Sequence, residues 1–527
     1  MEEIRELIEK YALQNAVKYN AAPNAGAVMG KLMGEHPELR SRAKEVSPLV
    51  SEVLASVEKT SPEEWKRRLE EIAPELLLQL SAKKEPDKGL PSLEGAENGV
   101  VMRFAPNPNG PPTLGSARGI IVNSEYVREY GGKFIIRFDD TDPVKKRPMP
   151  EAYGWYLEDC EWLGAKPDQV ITASERINQY YPIAEELIRR GGAYVCRCPQ
   201  AAFKEHKEKG IECRDRGQSI EENLELWEGM LDGSLKEGEA VLRLKTDMGH
   251  RDPAIRDWPA FRIVTTPHPL VGDRYRVWPL LDFESAVEDH LLGTTHIIRG
   301  KDLADSGNRQ RYLYSYLGWE YPRVIHWGRV KIHQFGSFST SKLRRAIEEG
   351  IYTGWDDPRI PTVRAMRCRG IRPEALRRFM IDLGVGETDI SLSMDSIYAE
   401  NRKLVDPEAN RRFFVWDPVL LDIEGDVPRL ARAPLHPTDH RGFREIPAGN
   451  KLYICRSDLE SSRVGDVIRL KDLCNMEITA LEPAKARFLD RDVGKRIRII
   501  HWAPFNGLKV RVLRPDGVDE EIGRAHV

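Results

Sequence analysis

Arg103-Phe104-Ala105-Pro106-Asn107-Pro108-Asn109-Gly110-Pro111-Pro112-Thr113-Leu114-Gly115-Ser116-Ala117-Arg118 is the stretch that decides how this chain is read. The apolar residues Val100, Val101 and Met102 precede it. After Gly115, small or apolar positions recur at Ala117, Ile120, Ile121, Ser124, Tyr126 and Val127, the spacing of a helix face. Between them lies a loop of Pro, Asn and Gly, so strand, loop and helix are expected in that order. Such a turn aims the first free amides of the helix into the loop, where an anion is favoured, and Gly115 lets a ligand approach the backbone. A proline-rich connection between two ordinary elements fits the same residues, so corroboration has to come from the rest of the chain.

The chain has 527 residues, too many for one core. At about 100–200 residues per domain, roughly three to five domains are expected. Hydrophobic residues make up 41% and charged residues 31%, the balance of a soluble globular protein. No apolar run approaches the ~18 residues of a bilayer span, and the acidic, helical start MEEIRELIEK is unlike a secretion signal. A cytoplasmic location without membrane attachment is therefore expected. Of seven cysteines, only Cys196 and Cys198 are close in sequence, which argues against a disulfide framework and for reduced thiols or a metal site. A net charge of −3 gives no general signal for nucleic acid, so any RNA-binding surface has to be local.

Upstream of the opening stretch, residues 1–82 read as a helical appendage. Ile4, Leu7, Ile8, Ala12, Ala16 and Val17 share a face, and Ser61-Pro62-Glu63-Glu64 is a helix start with proline at its first position and acids in its first turn. Residues 83–99 lose all periodicity and are expected to be a linker. Downstream, Phe134, Ile135, Ile136 and Phe138 form a buried strand ending on Asp139, Asp140 and Asp142. Open α/β sheets bind ligands beyond the C-terminal edge of such strands, where carboxylates can hold an amine, a ribose or a metal. Asp140 and Thr141 can equally cap a helix. Helices follow, so strand and helix alternate over 100–193 as a doubly wound sheet requires.

Residues 194–274 change character and are expected to be an α/β insertion. Cys196 and Cys198, followed by Cys213, offer three soft ligands, and His206 or Asp215 can complete a zinc tetrahedron; buried structural thiols are the alternative. Apolar strand character returns at Tyr275–Phe283, and His296-Ile297-Ile298 places Arg299 at a strand end, where an ion pair with Asp302 is the structural alternative to a binding role. Gly336 to Arg345, GSFSTSKLRR, is a hydroxyl-rich loop that delivers Lys342 to a helix start and suits contact with phosphate. Residues 346–412 read as helices with an arginine-rich face, and 413–527 as short alternating strands of the kind that form β-barrels.

The series RFAPNPNGPPTLGSARG, RFDDTDP, the expected strand WPLLDF, SFSTSKLR and GWDDPRIPT, in that order, resembles the class I glutamyl- and glutaminyl-tRNA synthetase family, in its archaeal glutamyl type. The resemblance runs from about Val100 to the C-terminal strands. It implies a Rossmann catalytic domain in two halves (100–193 and 275–345), an inserted acceptor-end domain (194–274), a helical stem-contact domain (346–412) and anticodon-binding β-barrels (413–527). Residues 1–82 resemble the helical domain appended in this family. The implied reaction is activation of glutamate by ATP, with Mg2+, to glutamyl-adenylate, and then transfer to the terminal adenosine of tRNA(Glu). Charging of tRNA(Gln) is a further possibility within the family. Positioning and charge stabilisation would dominate the chemistry.

By the resemblance, Thr113 and Ser116 stand where the family has the histidines of its HIGH motif. With Pro106, Gly115 and the loop residues Ser339, Ser341 and Lys342 they are expected to bind ATP, and Thr113, Ser116 and Lys342 to be catalytic. Thr340 stands near the expected central lysine of the KMSKS-type loop. Losing imidazole donors costs about 1–3 kcal/mol each, so slower activation is expected. Arg103 and Arg299 are expected to take the glutamate side chain and Asp139 its amine, while Asp140, Trp355, Asp356 and Arg359 are expected to contact tRNA. Leu281 stands where many relatives have a tyrosine. Glutaminyl enzymes have a smaller neutral residue in place of Arg299. A buried guanidinium facing a neutral amide is poorly compensated, which favours glutamate. A glutaminyl-tRNA synthetase is the nearest alternative, and a catalytically silent tRNA-binding paralogue is the alternative of another class. A monomer is expected, and because the chain stops at Val527, so is an incomplete distal barrel with an unpaired strand edge.

Overall fold

The computed structural model describes residues 2–19, 22–74, 76, 89–336, 339–439, 441–494, 496–512 and 521–525. It divides into two units, Met1–Lys88 and Gly89–Val527. In the first, helices α1 (Glu2–Tyr19), α2 (Ala25–Glu35), α3 (Ala43–Glu58) and α4 (Pro62–Ile72) bury Ile8, Leu13, Leu32, Val57, Trp65 and Leu69 in a common core. The start of α4 is the one its sequence predicts: Pro62 is at the first position and the Ser61 hydroxyl accepts the Glu64 N–H. The rest of the expected helical segment, residues 77–82, and the linker residues 83–88 lie outside the described residues. Residues 89–99 are not a linker. Leu90, Leu93 and Ala96, three residues apart, are buried against Val100, Met102, Val122 and Tyr126, so this stretch belongs to the folded second unit.

The second unit opens with β1 (Val100–Phe104), α5 (Leu114–Tyr130), β2 (Gly132–Phe138), α6 (Pro150–Trp162), β3 (Gln169–Thr172) and α7 (Ile177–Arg189). An insertion follows: β4 (Ala193–Cys196), α8 (Gln200–Lys209), α9 (Ile220–Asp232), β5 (Val241–Leu244), β6 (Pro259–Ile263) and β7 (Val277–Pro279). The chain returns through α10 (Leu281–Leu291), β8 (His296–Gly300), α11 (Ala304–Leu317) and β9 (Arg323–Trp327). Five strands form a parallel sheet in the order β3-β2-β1-β8-β9. The strand order reverses between β1 and β8, and open α/β sheets bind ligands in the crevice beyond the strand ends at such a point. The insertion is an antiparallel sheet, β4-β5-β6-β7, whose last strand lies beyond residue 274.

The expected strand Trp278–Phe283 ends at Pro279. From Leu281 the chain is helical, with Asp282 and Glu284 in the first turn, where acids are favoured, and Phe283, Ala286 and Val287 buried at helical spacing. The apolar run straddles a strand-to-helix junction, which hides the change of period.

Next come β10 (Val330–Ile332), α12 (Thr340–Glu348), α13 (Val363–Cys368), α14 (Pro373–Asp382), β11 (Ile390–Leu392) and α15 (Met394–Val405). These helices share a core with the first half of the sheet, where Val363, Met366, Leu376 and Met380 meet Leu114, Ile120, Phe138 and Tyr156. On α6 the carboxyl of Asp159 is buried and neither oxygen has a hydrogen-bond partner. Burial pushes this carboxyl up to about 7, against the opposing pull of Arg364. Its stabilising neutral form is complete below the unfolded value of about 3.9 and is lost as pH rises through the folded value. Asp159→Asn is therefore expected to raise the thermal unfolding midpoint at pH 8 and to leave it nearly unchanged at pH 4.

The C-terminal part is mostly β: β12 (Phe414–Trp416), β13 (Pro418–Glu424), β14 (Leu430–Pro434), β15 (Phe443–Pro447), β16 (Lys451–Cys455), a short helix α16 (Arg456–Glu460), β17 (Val467–Leu470), β18 (Cys474–Leu481), β19 (Ala484–Asp490), β20 (Arg498–Ile500), β21 (Ala503–Pro504), β22 (Leu508–Val512) and β23 (Glu521–Ala525). Seven of these strands form one sheet, β20-β17-β18-β19-β13-β16-β21, around a core that includes Leu421, Ile454, Met476 and Trp502. The last described strand, β23, is not an unpaired edge. It lies between β12 and β22 and pairs with both.

Candidate active site

The opening loop joins β1 to α5 at the sheet's switch point. Its Pro106 carbonyl accepts the Asp139 N–H at 2.9 Å, and the Asn107 amide donates to the Asp139 carbonyl at 3.0 Å, which ties the ends of β1 and β2 together. Pro112 and Leu114 bond through their backbones to Val363 and Pro361, at 2.8 and 3.0 Å. Gly110 is where the chain needs glycine, because a Cβ there would collide with the Thr340 methyl group and crowd the Trp355 ring. Three of the ordered motifs thus meet at one place.

Two of the expected ATP contacts have structural duties. The Thr113 hydroxyl is the N-cap of α5, accepting the Ser116 N–H at 3.4 Å, and the Ser339 hydroxyl caps α12 through the Lys342 N–H at 3.3 Å. Ser337 and Phe338 of the loop lie outside the described residues.

A cavity of about 590 Å³ is lined by Arg103, Ser116, Arg137, Asp139, Ser285 and Arg299, among others. It shares Gly115, Gly300, Asp302 and Trp327 with a second cavity of about 750 Å³ that extends to Gly336 at the start of the serine-rich loop. Gly115, Ser116, Arg103, Asp139 and Arg299 are therefore brought together as expected. Pro106, Thr113, Ser339, Ser341 and Lys342 are not part of either lining. Arg118, which sequence reasoning did not single out, lies over the Trp327 ring at 4.4 Å and donates to the Gly328 and Gly384 carbonyls, at 3.0 and 2.6 Å.

The first cavity is floored by a chain of alternating charges. Arg103 donates to both carboxylate oxygens of Asp289, at 2.8 and 3.1 Å. Arg137, fully buried in β2, donates to the same Asp289 at 2.7 Å and holds both oxygens of Asp139, at 2.7 and 3.1 Å. Burial alone would raise the Asp289 carboxyl, but Arg103 and Arg137 outweigh it and bring it down to about 2. Glu284 lies 3.6 Å from Arg137, entirely buried with neither oxygen hydrogen-bonded. Burial, with Asp139 nearby, pushes its carboxyl far up, against the opposing pull of Arg137.

Arg299 differs from the other two guanidiniums. It is 7% exposed, and its hydrogen bond goes to the neutral amide oxygen of Gln310 at 3.2 Å. Asp302, the alternative partner, pairs instead with Arg329 at 3.3 Å. Among the described residues no carboxylate lies within ion-pair distance of Arg299. Arg103 and Arg137 are thus hydrogen-bonded to Asp289 and Asp139, whereas the partner of Arg299 among the described residues is the Gln310 amide. Arg137, Asp289 and Gln310 were not found from sequence. Arg137 carried a signal, since a lone arginine inside the apolar strand FIIRF has to find partners.

The residues expected to contact tRNA are placed differently. Asp140 is fully buried. Its oxygens accept from Tyr153 at 2.6 Å and from the N–H and hydroxyl of Ser174 at 2.8 and 2.7 Å, so it builds the protein interior and does not reach a nucleic acid. The Arg359 guanidinium is taken by Asp357, at 2.9 and 2.7 Å, which fixes the turn. Trp355 is half-buried and Asp356 is exposed. In the insertion, Cys196, Cys198, Cys213 and Asp215 place their ligand atoms within 4.8 Å of one another, with Cys196 and Cys213 sulfurs 4.0 Å apart; His206 is outside this group. Three thiols and a carboxylate are a donor set that zinc accepts.

The family described as tRNA synthetases class I (E and Q), catalytic domain, matches residues 99–407. The chain belongs to this family. Its anti-codon binding domain matches residues 409–489. A glutamate–tRNA ligase of Methanothrix thermoacetophila is 69% identical over 526 residues, covering 99% of this chain and 93% of that protein. A glutamate–tRNA ligase of Methanosarcina barkeri is 59% identical over 524 residues, covering 98% and 92%. One from Pyrococcus abyssi is 50% identical over 533 residues, covering 99% and 93%. As a class I synthetase of the E and Q type, the chain has its charged cavity at the crevice where the parallel sheet reverses its strand order.

Proposed function

We propose that this chain is a glutamate–tRNA ligase, which activates glutamate with ATP and transfers it to the terminal adenosine of tRNA(Glu). The observation that carries the choice of amino acid is Arg299, a buried guanidinium without an acid partner among the described residues, in the cavity that also holds Arg103 and Asp139. A γ-carboxylate supplies the missing charge, whereas a neutral amide leaves it buried and uncompensated. Asp139, held at the mouth of β2 by Arg137, receives the amine. The α-carboxylate attacks the α-phosphate of ATP, which enters as its Mg2+ complex against Gly115 and Ser116 at the N-terminus of α5 and displaces pyrophosphate towards the Gly336 loop. Lys342, exposed at the start of α12, supplies positive charge to the leaving group. Trp355 and Asp356 remain the proposed tRNA contacts, and the protein is proposed to act as a cytoplasmic monomer.

The decisive experiment is amino-acid-dependent pyrophosphate exchange with tRNA present. Exchange with glutamate supports this reading, and exchange with glutamine alone defeats it. Charging assays with purified tRNA(Glu) and tRNA(Gln) decide whether both are acceptors.

The thiol cluster is proposed as a structural zinc site held by Cys196, Cys198, Cys213 and Asp215, bracing the end of β4 against the turn that follows α8. About one zinc per chain is expected by elemental analysis. Cys213→Ser is expected to lose most of it and to lower the unfolding midpoint. Full metal content in that variant would refute the site.

A further inference from the structure

Gln310 on α11 is 1% exposed, and every hydrogen-bonding atom of its amide is engaged. The nitrogen donates to the Asp282 carbonyl at 3.2 Å and to the Ser285 hydroxyl at 2.7 Å, both on α10. The oxygen accepts from the Tyr321 hydroxyl at 2.7 Å and from Arg299 at 3.2 Å. A carbonyl can only accept and a guanidinium can only donate, so the amide cannot turn over: its oxygen has to face Arg299. Tyr321 is itself fixed edge-on against Tyr314, whose hydroxyl donates to the Ala286 carbonyl at 2.9 Å.

The acids around this pair are already spent. Asp282 is engaged by Arg309 at 2.5 Å, Asp302 by Arg329 at 3.3 Å, and Asp289 by Arg103 and Arg137 at 2.8 and 2.7 Å. Buried arginines are ordinarily paired with a carboxylate. Here the fold supplies an amide of nearly the same shape as glutamate, which orients the guanidinium and leaves its charge intact.

We propose that Gln310 is a specificity-determining positioning residue, whose fixed amide oxygen aims Arg299 at the substrate while withholding the negative charge that would neutralise it. The pocket thereby favours an anionic side chain over a neutral amide of equal size. This rests on the reading that Arg299 receives the γ-carboxylate, and the two are tested separately.

The test uses the full chain with tRNA in pyrophosphate exchange, and compares glutamate with glutamine for the parent, Gln310→Glu, Gln310→Met and Arg299→Ala. Gln310→Glu places a carboxylate beside Arg299. It is expected to lower kcat/KM for glutamate by about 100-fold, mainly through KM, and to lower the glutamate-to-glutamine ratio by more than about 10-fold, with KM for tRNA unchanged. Gln310→Met keeps the size and the uncompensated charge but removes the aim, so it is expected to raise KM for glutamate with a smaller fall in the ratio. A merely structural role would lower both amino acids alike in both variants. A parental ratio in Gln310→Glu overturns the proposal. If that variant does not fold, Gln310→Met decides: an unchanged KM for glutamate overturns the proposal, and a raised KM with parental tRNA binding supports it. If Arg299→Ala keeps the parental KM for glutamate, the reading of the pocket fails. If Arg299→Ala loses glutamate while Gln310→Glu keeps the parental ratio, only the role of Gln310 fails.

Discussion

Arg299→Ala is expected to lower kcat/KM for glutamate by about 10²–10³-fold in tRNA-dependent pyrophosphate exchange. Truncating one partner of a buried, hydrogen-bonded charge pair costs about 2–5 kcal/mol, much of it from the charge left behind. In the free protein Arg299 is the unpaired member of the cluster, so removing it does not strand an acid of the protein. The loss therefore falls on the bound state, where the γ-carboxylate of glutamate would lie buried without its partner. Glutamine, with no charge to compensate, should lose much less, so the preference between the two amino acids narrows. Fold stability should change little, and a measured unfolding midpoint near that of the parent separates loss of binding from loss of structure.

Asp289→Ala should have the opposite character. Asp289 is 1% exposed and is the shared acid of Arg103 and Arg137. Its removal leaves two guanidiniums buried around one remaining carboxylate, Asp139, and breaking a buried pair in this way costs about 3–5 kcal/mol of stability. Denaturant unfolding measures this directly. The pH dependence carries the same sign. Because the folded state holds the Asp289 carboxyl at about 2, below its ordinary range, its contribution is present above the unfolded value and is lost as pH falls through the folded one. The Asp289→Ala chain should therefore lose less stability than the parent on acidification through that window. Arg103 also loses its two-point anchor, so KM for glutamate is expected to rise even where the variant folds. An unfolding free energy equal to that of the parent would show that the charge chain is not what holds this floor together.

Much of the fold was legible because it is written in local chemistry. The proline- and glycine-rich loop between Met102 and Gly115 marks the strand-to-helix turn, and the apolar run ending on Asp139 marks a strand whose end faces the crevice. The position of Arg299 at a strand end was legible for the same reason, since it follows the apolar pair Ile297-Ile298 near the end of β8. The partners of these residues were not. Arg103 meets Asp289 across 186 positions and Arg137 meets it across 152, distances over which no local period extends. Gln310 is a polar residue on a helix, like many that face water, and only its burial between α10 and Arg299 reveals a use. Short hydroxyl side chains carry two readings at once. Thr113 and Ser339 suit phosphate by type, yet each also suits the first position before a helix, and capping is where the structure spends them. Asp140, expected to contact tRNA or to cap a helix, is closed over by Tyr153 and Ser174.

Selection of glutamate by an uncompensated guanidinium is tested most directly by pyrophosphate exchange on the parent chain, with saturating tRNA and with glutamate and glutamine measured side by side. The predicted result is ready exchange with glutamate and little or none with glutamine. Exchange with glutamine at equal or greater kcat/KM, or tRNA binding with no exchange from either amino acid, would contradict it.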